Sequence, residues 1–203
     1  MIPRSHKVLY MLYLVIWIIT AIHPKYPQDW LLENILVFLM FPFVLWLDKK
    51  FALSLVSLVL LLVFGSMHAL GAHFTYAKME YFDVLTNYFD FHRNYYDRVV
   101  HFAFGLLLFR PVYEIISRYS RSFNVALLFT FTTIVSISAF YEILEWMAAV
   151  TLRPGLGFAF VASQGDVWDS QKDILSAVVG ALVNVVFLRS FYFRIRTTKK
   201  WTI

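Results

Sequence analysis

The chain has 203 residues, of which 60% are hydrophobic and only 15% are charged. A soluble domain carries about 45–50% apolar and about 25% charged residues, so the composition excludes an ordinary soluble domain and predicts an integral membrane protein. The absence of cysteine excludes disulfides, thiolate metal sites and a thiol nucleophile. The net charge of +5 arises from basic residues beside apolar segments, which favours membrane anchoring over nucleic-acid binding. We therefore expect the lipid bilayer as a partner and no nucleic acid.

Six apolar segments predict a polytopic, all-α bundle of six transmembrane helices in one membrane-embedded domain spanning 1–203. They cover roughly residues 8–22, 30–47, 51–70, 99–116, 123–150 and 173–193. About 20 apolar residues cross a bilayer, so the first two helices are short and the third is full length. Asp48, Lys49 and Lys50 predict a tight charged turn. The aromatic interval 71–98 predicts a short interfacial helix, and 151–164 is expected to be a loop.

The distribution of lysine and arginine predicts the orientation. With the N-terminus inside, the inside segments hold Arg4, Lys7, Lys49, Lys50, Arg118, Arg121, Arg189, Arg194, Arg196, Lys199 and Lys200. The outside segments hold Lys25, Lys78, Arg93, Arg98, Arg153 and Lys172. Cytoplasmic loops carry the excess of basic residues, so both termini are expected to be cytoplasmic.

Under this topology, ionisable residues gather at one depth on the outer, periplasmic side. His68 ends the third helix, and Glu142 and Glu145 lie in the outer third of the fifth. The starts of the fourth and sixth helices supply Asp97, Arg98, His101, Asp166, Asp169, Lys172 and Asp173. Charged groups are costly within a membrane unless they face protein, water or a cation. The sequence therefore predicts one polar site shared by four helix ends.

The spacing of these residues indicates candidate roles. Asp97 is four residues before His101, so its carboxylate could fix the imidazole tautomer. Glu142 and Glu145 share a helix face, where they could serve as acid and base, bridge a divalent cation or pair with a basic residue. The candidate catalytic residues are His101, Glu142, Glu145 and Asp173. The candidate ligands of a divalent metal are Glu142, Glu145, Asp169 and Asp173. Arg98 and Lys172 are candidates for binding a substrate phosphate, with Asp97 and His68 beside them.

Simpler structural interpretations compete for several of these residues. Asp166 and Asp169 fit a cap of the sixth helix equally well, since acidic side chains favour helix N-termini. His73 and His92 fit ordinary interfacial residues, and Arg110 fits a side chain that reaches to the cytoplasmic interface. Three glycines inside different helices, Gly65, Gly105 and Gly180, predict close helix packing beneath the site.

Four stretches together resemble the YjdF family of bacterial inner-membrane proteins, a domain of unknown function. They are HALGAHFTYAK (68–78), RNYYDRVVHFAFG (93–105), SAFYEILEW (138–146) and QGDVWDSQKDILSAVVGAL (164–182). A weaker resemblance is to the VanZ-like proteins, through Asp97, Arg98 and His101, then Glu142 and Glu145, then Asp173 with Gly180. The resemblance implies a multi-pass protein of the bacterial inner (plasma) membrane and supplies no catalytic residues.

Three functions remain open on the sequence. The first is a membrane-embedded enzyme that acts on a lipid or an envelope precursor from the outer side. The second is a non-catalytic envelope or accessory protein whose charges lock the helix packing. The third is an ion-coupled transporter that uses intramembrane carboxylates as a proton relay, although no matching interrupted helices indicate inverted repeats.

Overall fold

The computed structural model describes residues 2–151 and 164–199, with side chains described up to residue 190. Within these residues the chain is helical, and we number its α-helices α1 to α7. They are α1 (Arg4–Ala21), α2 (Pro27–Phe51), α3 (Leu55–Phe74), α4 (Glu80–Tyr88), α5 (Tyr96–Ile116), α6 (Phe123–Thr151) and α7 (Asp169–Lys199). A 3₁₀ turn, Tyr76–Lys78, precedes α4. Residues 152–163, which are most of the predicted loop and include Arg153, lie outside the described residues. Lys200 lies outside them as well.

Within the part of the chain that the structure describes, five helices are long and apolar enough to cross a membrane: α2, α3, α5, α6 and the Asp169–Ser190 part of α7. Large apolar side chains cover their outer surfaces, among them Leu39, Leu128 and Phe187, each at least 60% exposed. Such a continuous apolar surface is unfavourable in water and suits lipid. A multi-pass membrane protein is therefore confirmed. α1, with 18 residues, is not among the five, so a sixth span stays a prediction.

The predicted charged turn at Asp48, Lys49 and Lys50 is wrong, because α2 continues through it to Phe51. The chain turns instead at Ala52, which adopts the left-handed conformation with φ of 44°. The Asp48 carboxylate is buried and accepts a hydrogen bond from the Leu53 backbone N–H at 3.1 Å. Asp48 thus lies inside the protein, where its carboxylate binds the backbone just after the end of α2. α3 consequently starts at Leu55, four residues later than predicted.

The remaining helix boundaries follow the apolar pattern more closely. α6 matches its predicted range to within one residue, and the predicted short helix in the aromatic interval is α4. α5 begins at Tyr96, so Asp97 and His101 lie in one helix, as their four-residue spacing predicted. α7 begins at Asp169, one turn earlier than predicted, and places Asp173 inside the helix.

Polar contacts show which helix ends lie together. At one end, the start of α1 meets the end of α2 through His6 and Asp48, whose Nδ1 and Oδ2 atoms are 3.0 Å apart. At the other end, His73 Nδ1 of α3 lies 2.8 Å from the Thr20 carbonyl of α1. The second end also holds the starts of α2, α5 and α7 and the end of α6. We call it the acidic end, because the predicted site residues lie there.

α5 and α7 form the largest helix–helix contact in the described chain. A Cβ atom on Gly105 would lie 1.9 Å from the Ala177 carbonyl oxygen, and one on Gly180 would lie 2.2 Å from the Phe102 carbonyl oxygen. The two backbones therefore touch where the glycines face each other. The Asn184 amide, one turn further along α7, donates a 2.7 Å hydrogen bond to the Leu106 carbonyl. The predicted role of Gly105 and Gly180 in close packing is confirmed.

Candidate functional site

His101 lies at the centre of the acidic end, between carboxylates from its own helix and from α6. Its Nε2 atom is 3.2 Å from Glu142 Oε1 and 3.7 Å from Asp97 Oδ1. The distance to Asp97 is longer than a hydrogen bond. Asp97 and His101 are therefore within ion-pair distance, without the hydrogen bond that was predicted to fix the imidazole tautomer. Asp173 of α7 completes the group, and one ligand atom each from Asp97, His101 and Asp173 lie within 4.8 Å of one another. All four side chains are buried.

A network of arginines and aspartates borders this group. Arg98 Nη2 donates to Asp166 Oδ2 at 2.6 Å and to Asp169 Oδ1 at 3.1 Å, and Arg98 Nε lies 3.7 Å from Asp173 Oδ1. Arg93 also pairs with Asp169 and Asp166. The network fastens the start of α7 to α5 and to the segment before it. Arg98, predicted to hold a substrate phosphate, binds carboxylates of the protein in this structure.

Asp166 precedes α7 and receives several hydrogen bonds. Lys172 Nζ donates at 2.7 Å, Arg98 at 2.6 Å and the Trp168 backbone N–H at 3.1 Å. Bonding to Lys172, then to Arg98 and Trp168, lowers the pKa of the Asp166 carboxyl well below its usual range. Asp166 therefore both shapes the turn before the helix and neutralises basic side chains. Asp166 therefore fits both predicted roles, as a cap before the last helix and as a member of the polar site.

A second buried carboxyl group, Glu33 at the start of α2, adjoins the site. Glu33 is 3% exposed and lies within electrostatic range of Tyr141 of α6. Glu145, also buried, lies within electrostatic range of Glu33, Asp97 and Glu142. Glu33 was not among the residues that the sequence predicted for the site. Its position in the predicted topology, at the outer end of the second helix, was the signal that could have identified it.

His68 faces Glu33 and an apolar crevice, and it is not part of the group around His101. Its Nε2 atom lies 3.2 Å from the Glu33 carbonyl oxygen, and its Nδ1 atom lies 2.6 Å from the Tyr76 hydroxyl. A carbonyl oxygen can only accept, so this pattern assigns the proton to Nε2 and makes Nδ1 the acceptor. Burial raises the pKa of Tyr76 well above its usual range, which keeps that hydroxyl a donor.

The crevice beside His68 has a volume of about 160 Å³ and lies between α1, α2 and α3. Its walls are almost entirely apolar and include Tyr13, Leu36, Phe41 and Leu62. Among the described lining residues, His68 can ionise, as can the tyrosines Tyr10 and Tyr13. An apolar volume therefore meets the polar acidic end through His68 and Glu33.

Other predicted polar residues have structural partners away from this group. His73 joins α3 to α1, as described above, and His92 is exposed in the segment before α5. Arg110 lies 3.8 Å from Glu114 Oε1 near the opposite end. That end also holds a cluster that the sequence did not reveal, in which Tyr10 donates a 2.8 Å hydrogen bond to the same Asp48 carboxylate that His6 contacts.

Comparisons with known proteins agree with the membrane architecture. Residues 5–194 match the family described as "Predicted membrane protein (DUF2238)". The chain is also 31% identical over 182 residues to the inner membrane protein YjdF of Escherichia coli (strain K12), an alignment that covers 89% of this chain and 87% of YjdF. No solved structure matches the chain. The predicted resemblance to YjdF is confirmed, whereas the resemblance to VanZ-like proteins stays a prediction.

Proposed function

The chain belongs to the DUF2238 family of predicted membrane proteins, and from this premise we propose that it is a membrane-embedded enzyme that acts on a lipid or an envelope precursor. One observation carries the proposal. The buried imidazole of His101 lies between the carboxylates of Asp97 and Glu142, with Asp173 alongside. Buried ionisable groups are costly in a membrane protein, and their concentration at one end of a helix bundle is typical of a functional site.

Two kinds of chemistry suit these side chains. In the first, His101, Glu142 and Glu145 exchange protons with the substrate as acid and base, with Asp173 beside them. In the second, these carboxylates would hold a divalent cation, which would supply Lewis-acid activation of water or of the substrate. Both use the same side chains, and both predict loss of function when a carboxylate becomes an amide.

The apolar crevice supports a lipid substrate. A hydrocarbon chain between α1, α2 and α3 would gain about 0.8 kcal/mol for each methylene group that leaves water. At the crevice wall, His68 contacts the backbone carbonyl of Glu33, which adjoins the acidic end where a polar headgroup would lie. A phosphate on that headgroup would have to replace Asp166 as the partner of Arg98 and Lys172.

We further propose six spans in the bacterial inner membrane, with both termini cytoplasmic and the acidic end on the periplasmic side. The distribution of basic residues supports this orientation. The parallel packing of α1 against α3, whose C-terminal ends meet at Thr20 and His73, supports α1 as the sixth span. The relative YjdF is named as an inner membrane protein, which supports the same location here.

The test replaces single carboxylates by amides of the same shape. Glu142→Gln and Asp173→Asn, each introduced at the chromosomal locus, are expected to reproduce the envelope lipid profile of a strain that lacks the protein. Loss of a positioned acid or base typically costs about 10²–10⁴-fold in rate. Glu114→Gln, which removes a carboxylate near the opposite end, is the matched control and should retain the wild-type profile. Wild-type profiles in both site variants, at normal protein abundance, would remove the enzyme proposal.

A non-catalytic accessory protein is the second candidate, and the network of Arg93, Arg98, Asp166 and Asp169 favours it. These residues join α5 to the start of α7 and could serve packing alone. Interhelical polar bonds in membranes contribute about 0.6–2 kcal/mol each. Under this alternative, Glu142→Gln would change stability and leave the lipid profile unchanged.

A further inference from the structure

We propose that Asp97, His101 and Asp173 bind one divalent transition-metal ion, with Glu142 as a fourth ligand. The group draws two ligands from α5, one from α7 and one from α6, and each side chain is less than 10% exposed. The inference concerns ion binding and does not require the proposed enzyme activity. It also revises the predicted metal ligands, because it includes Asp97 and His101 and omits Asp169 and Glu145.

The spacing of the donor atoms carries the proposal. In tetrahedral zinc sites the bonds to nitrogen and oxygen are about 2.0–2.1 Å, which places neighbouring ligand atoms about 3.3 Å apart. His101 Nε2 lies 3.2 Å from Glu142 Oε1 and 3.7 Å from Asp97 Oδ1, on either side of that value. One Asp173 oxygen lies within 4.8 Å of the ligand atoms of Asp97 and His101, and Glu142, which lies outside that group of three, reaches His101 alone, so side-chain rotations would complete the coordination.

The hydrogen bonding around these atoms points the same way. Among the described residues, Glu142 Oε1 and Asp173 Oδ1 are buried atoms without a hydrogen-bond partner. The two residues are only 5% and 2% exposed. A buried polar atom without a partner costs about 1–3 kcal/mol, and more when it is charged. An ion bound between them would satisfy both oxygens at once.

The balance of charge also requires a cation or protons at this end. Many carboxyl groups of the described chain gather here, among them Asp29, Glu33, Asp97, Glu142, Glu145, Asp166, Asp169 and Asp173. The basic side chains paired with them are Arg93, Arg98 and Lys172, and their short contacts are to Asp166 and Asp169. Asp173 lies 3.7 Å from Arg98 Nε, and the basic group beside Asp97 and Glu142 is His101, at 3.7 and 3.2 Å, which would itself be a neutral ligand of the ion. A divalent ion supplies the missing positive charge at the group around His101.

The donor set indicates the class of ion. One imidazole and several carboxylates, without a thiolate, suit a first-row transition ion such as Zn²⁺ or Mn²⁺. Mg²⁺ keeps several of its waters and takes few protein ligands, so it suits a dry four-ligand group less well. Asp169 is held by Arg93 and Arg98 and serves to position α7, which explains its omission from the ligands.

The experiment measures bound metal in the full-length protein purified in detergent. The protein is stripped with a chelator, dialysed against Zn²⁺ or Mn²⁺, passed over a desalting column and analysed by inductively coupled plasma mass spectrometry. We expect about one ion per chain in the wild type and in Asp48→Asn. The control removes a buried carboxylate that also faces a histidine, but at the opposite end. Asp173→Asn and His101→Gln should each lower the bound metal at least tenfold.

A second measurement does not depend on how the variants fold. The melting temperature of the wild type should rise on addition of Zn²⁺ or Mn²⁺ and should change less with the same concentration of Mg²⁺, because a ligand that binds the folded state stabilises it. No bound ion and no shift would overturn the proposal. Equal metal content in all variants, or equal loss in Asp48→Asn, would overturn it as well, since binding would then not depend on the group around His101.

Discussion

Arg98 contacts three aspartates that lie before or within the first turns of α7. Its side chain is 17% exposed, and its partner Asp169 is 5% exposed. Removing Arg98 would leave Asp169 with Arg93 and Asp166 with Lys172, so the cost is the loss of hydrogen bonds to charged groups and not an unpaired carboxylate. Lys172 contacts the same Asp166 but has a side chain that is 45% exposed, so water replaces it easily.

This difference gives a prediction for two substitutions in one network. Arg98→Ala should lower the free energy of unfolding by about 1.5–3 kcal/mol, because it removes hydrogen bonds to the charged Asp166 and Asp169 while Asp169 keeps Arg93 as a partner. Lys172→Ala, as the control, should change it by about 0–1 kcal/mol. Thermal unfolding of the purified protein in detergent measures both. Equal effects of the two substitutions would show that the contact of Arg98 with α7 does not carry this stability.

At the scale of single residues, local spacing predicted part of the site. The four-residue separation of Asp97 and His101 and the position of Asp173 indicated their convergence once a helix bundle was assumed. Glu33 and Tyr141 could not be found in this way, because their contact joins α2 to α6 across more than a hundred residues. Asp48 shows the same limit, since its partner His6 lies 42 residues away and turns an apparent surface charge into a buried one.

At the scale of helices, Gly105 and Gly180 allow α5 and α7 to touch. Their added Cβ atoms would meet backbone atoms, which cannot rotate away. Gly65 differs, because its added Cβ atom would meet the Tyr13 ring at 2.7 Å, a side chain that can move. Close approach of this kind is how small residues stabilise helix pairs in lipid.

The glycines therefore support a prediction with an internal control. Gly105→Ala and Gly180→Ala should each destabilise the protein by at least about 1–3 kcal/mol, because overpacking forces the backbones apart. Gly65→Ala should cost less, since the Tyr13 ring can shift toward the crevice. The melting temperatures of the three variants, measured side by side, test the order. A Gly65→Ala variant as unstable as Gly105→Ala would contradict it.

Helix boundaries were predictable where the apolar pattern alone decides them. The 29 residues of α6 form one apolar run, and its range was predicted to within one residue. The boundary between α2 and α3 was not, because the end of α2 depends on Asp48 bonding to Leu53 and to α1. The start of α7 is set by the contacts of Asp169 with Arg93 and Arg98, which hydropathy does not record.

At the scale of the whole molecule, the absence of cysteine makes the proposed topology directly testable. Single cysteines at exposed positions can be labelled with a membrane-impermeant maleimide in cells whose outer membrane has been permeabilised. We expect Tyr88→Cys, on α4, and Ile22→Cys, after α1, to react from outside. Tyr119→Cys, between α5 and α6, and Lys7→Cys, in α1, should react only after lysis of the inner membrane.

The four positions separate the orientation from the number of spans. Reaction of Tyr119→Cys from outside, with Tyr88→Cys protected, would reverse the orientation. Reaction of both Lys7→Cys and Ile22→Cys from the same side would show that α1 does not cross, and would leave five spans. The side chains at all four positions are exposed in the structure. Protection from labelling would therefore be due to the membrane and not to burial in the protein.

The contact between Gly105 and Gly180 also limits how the molecule can move. Interlocked backbones resist sliding, because any axial displacement drives a carbonyl group into the facing helix. α5 and α7, with Asp97, His101 and Asp173, then behave as one rigid body. Entry and release at the acidic end would fall to α6, which carries Glu142 and has no such glycine contact with α5 in the described chain. A hinge of α6, by which Glu142 swings toward or away from a fixed frame, is the motion that this packing leaves open.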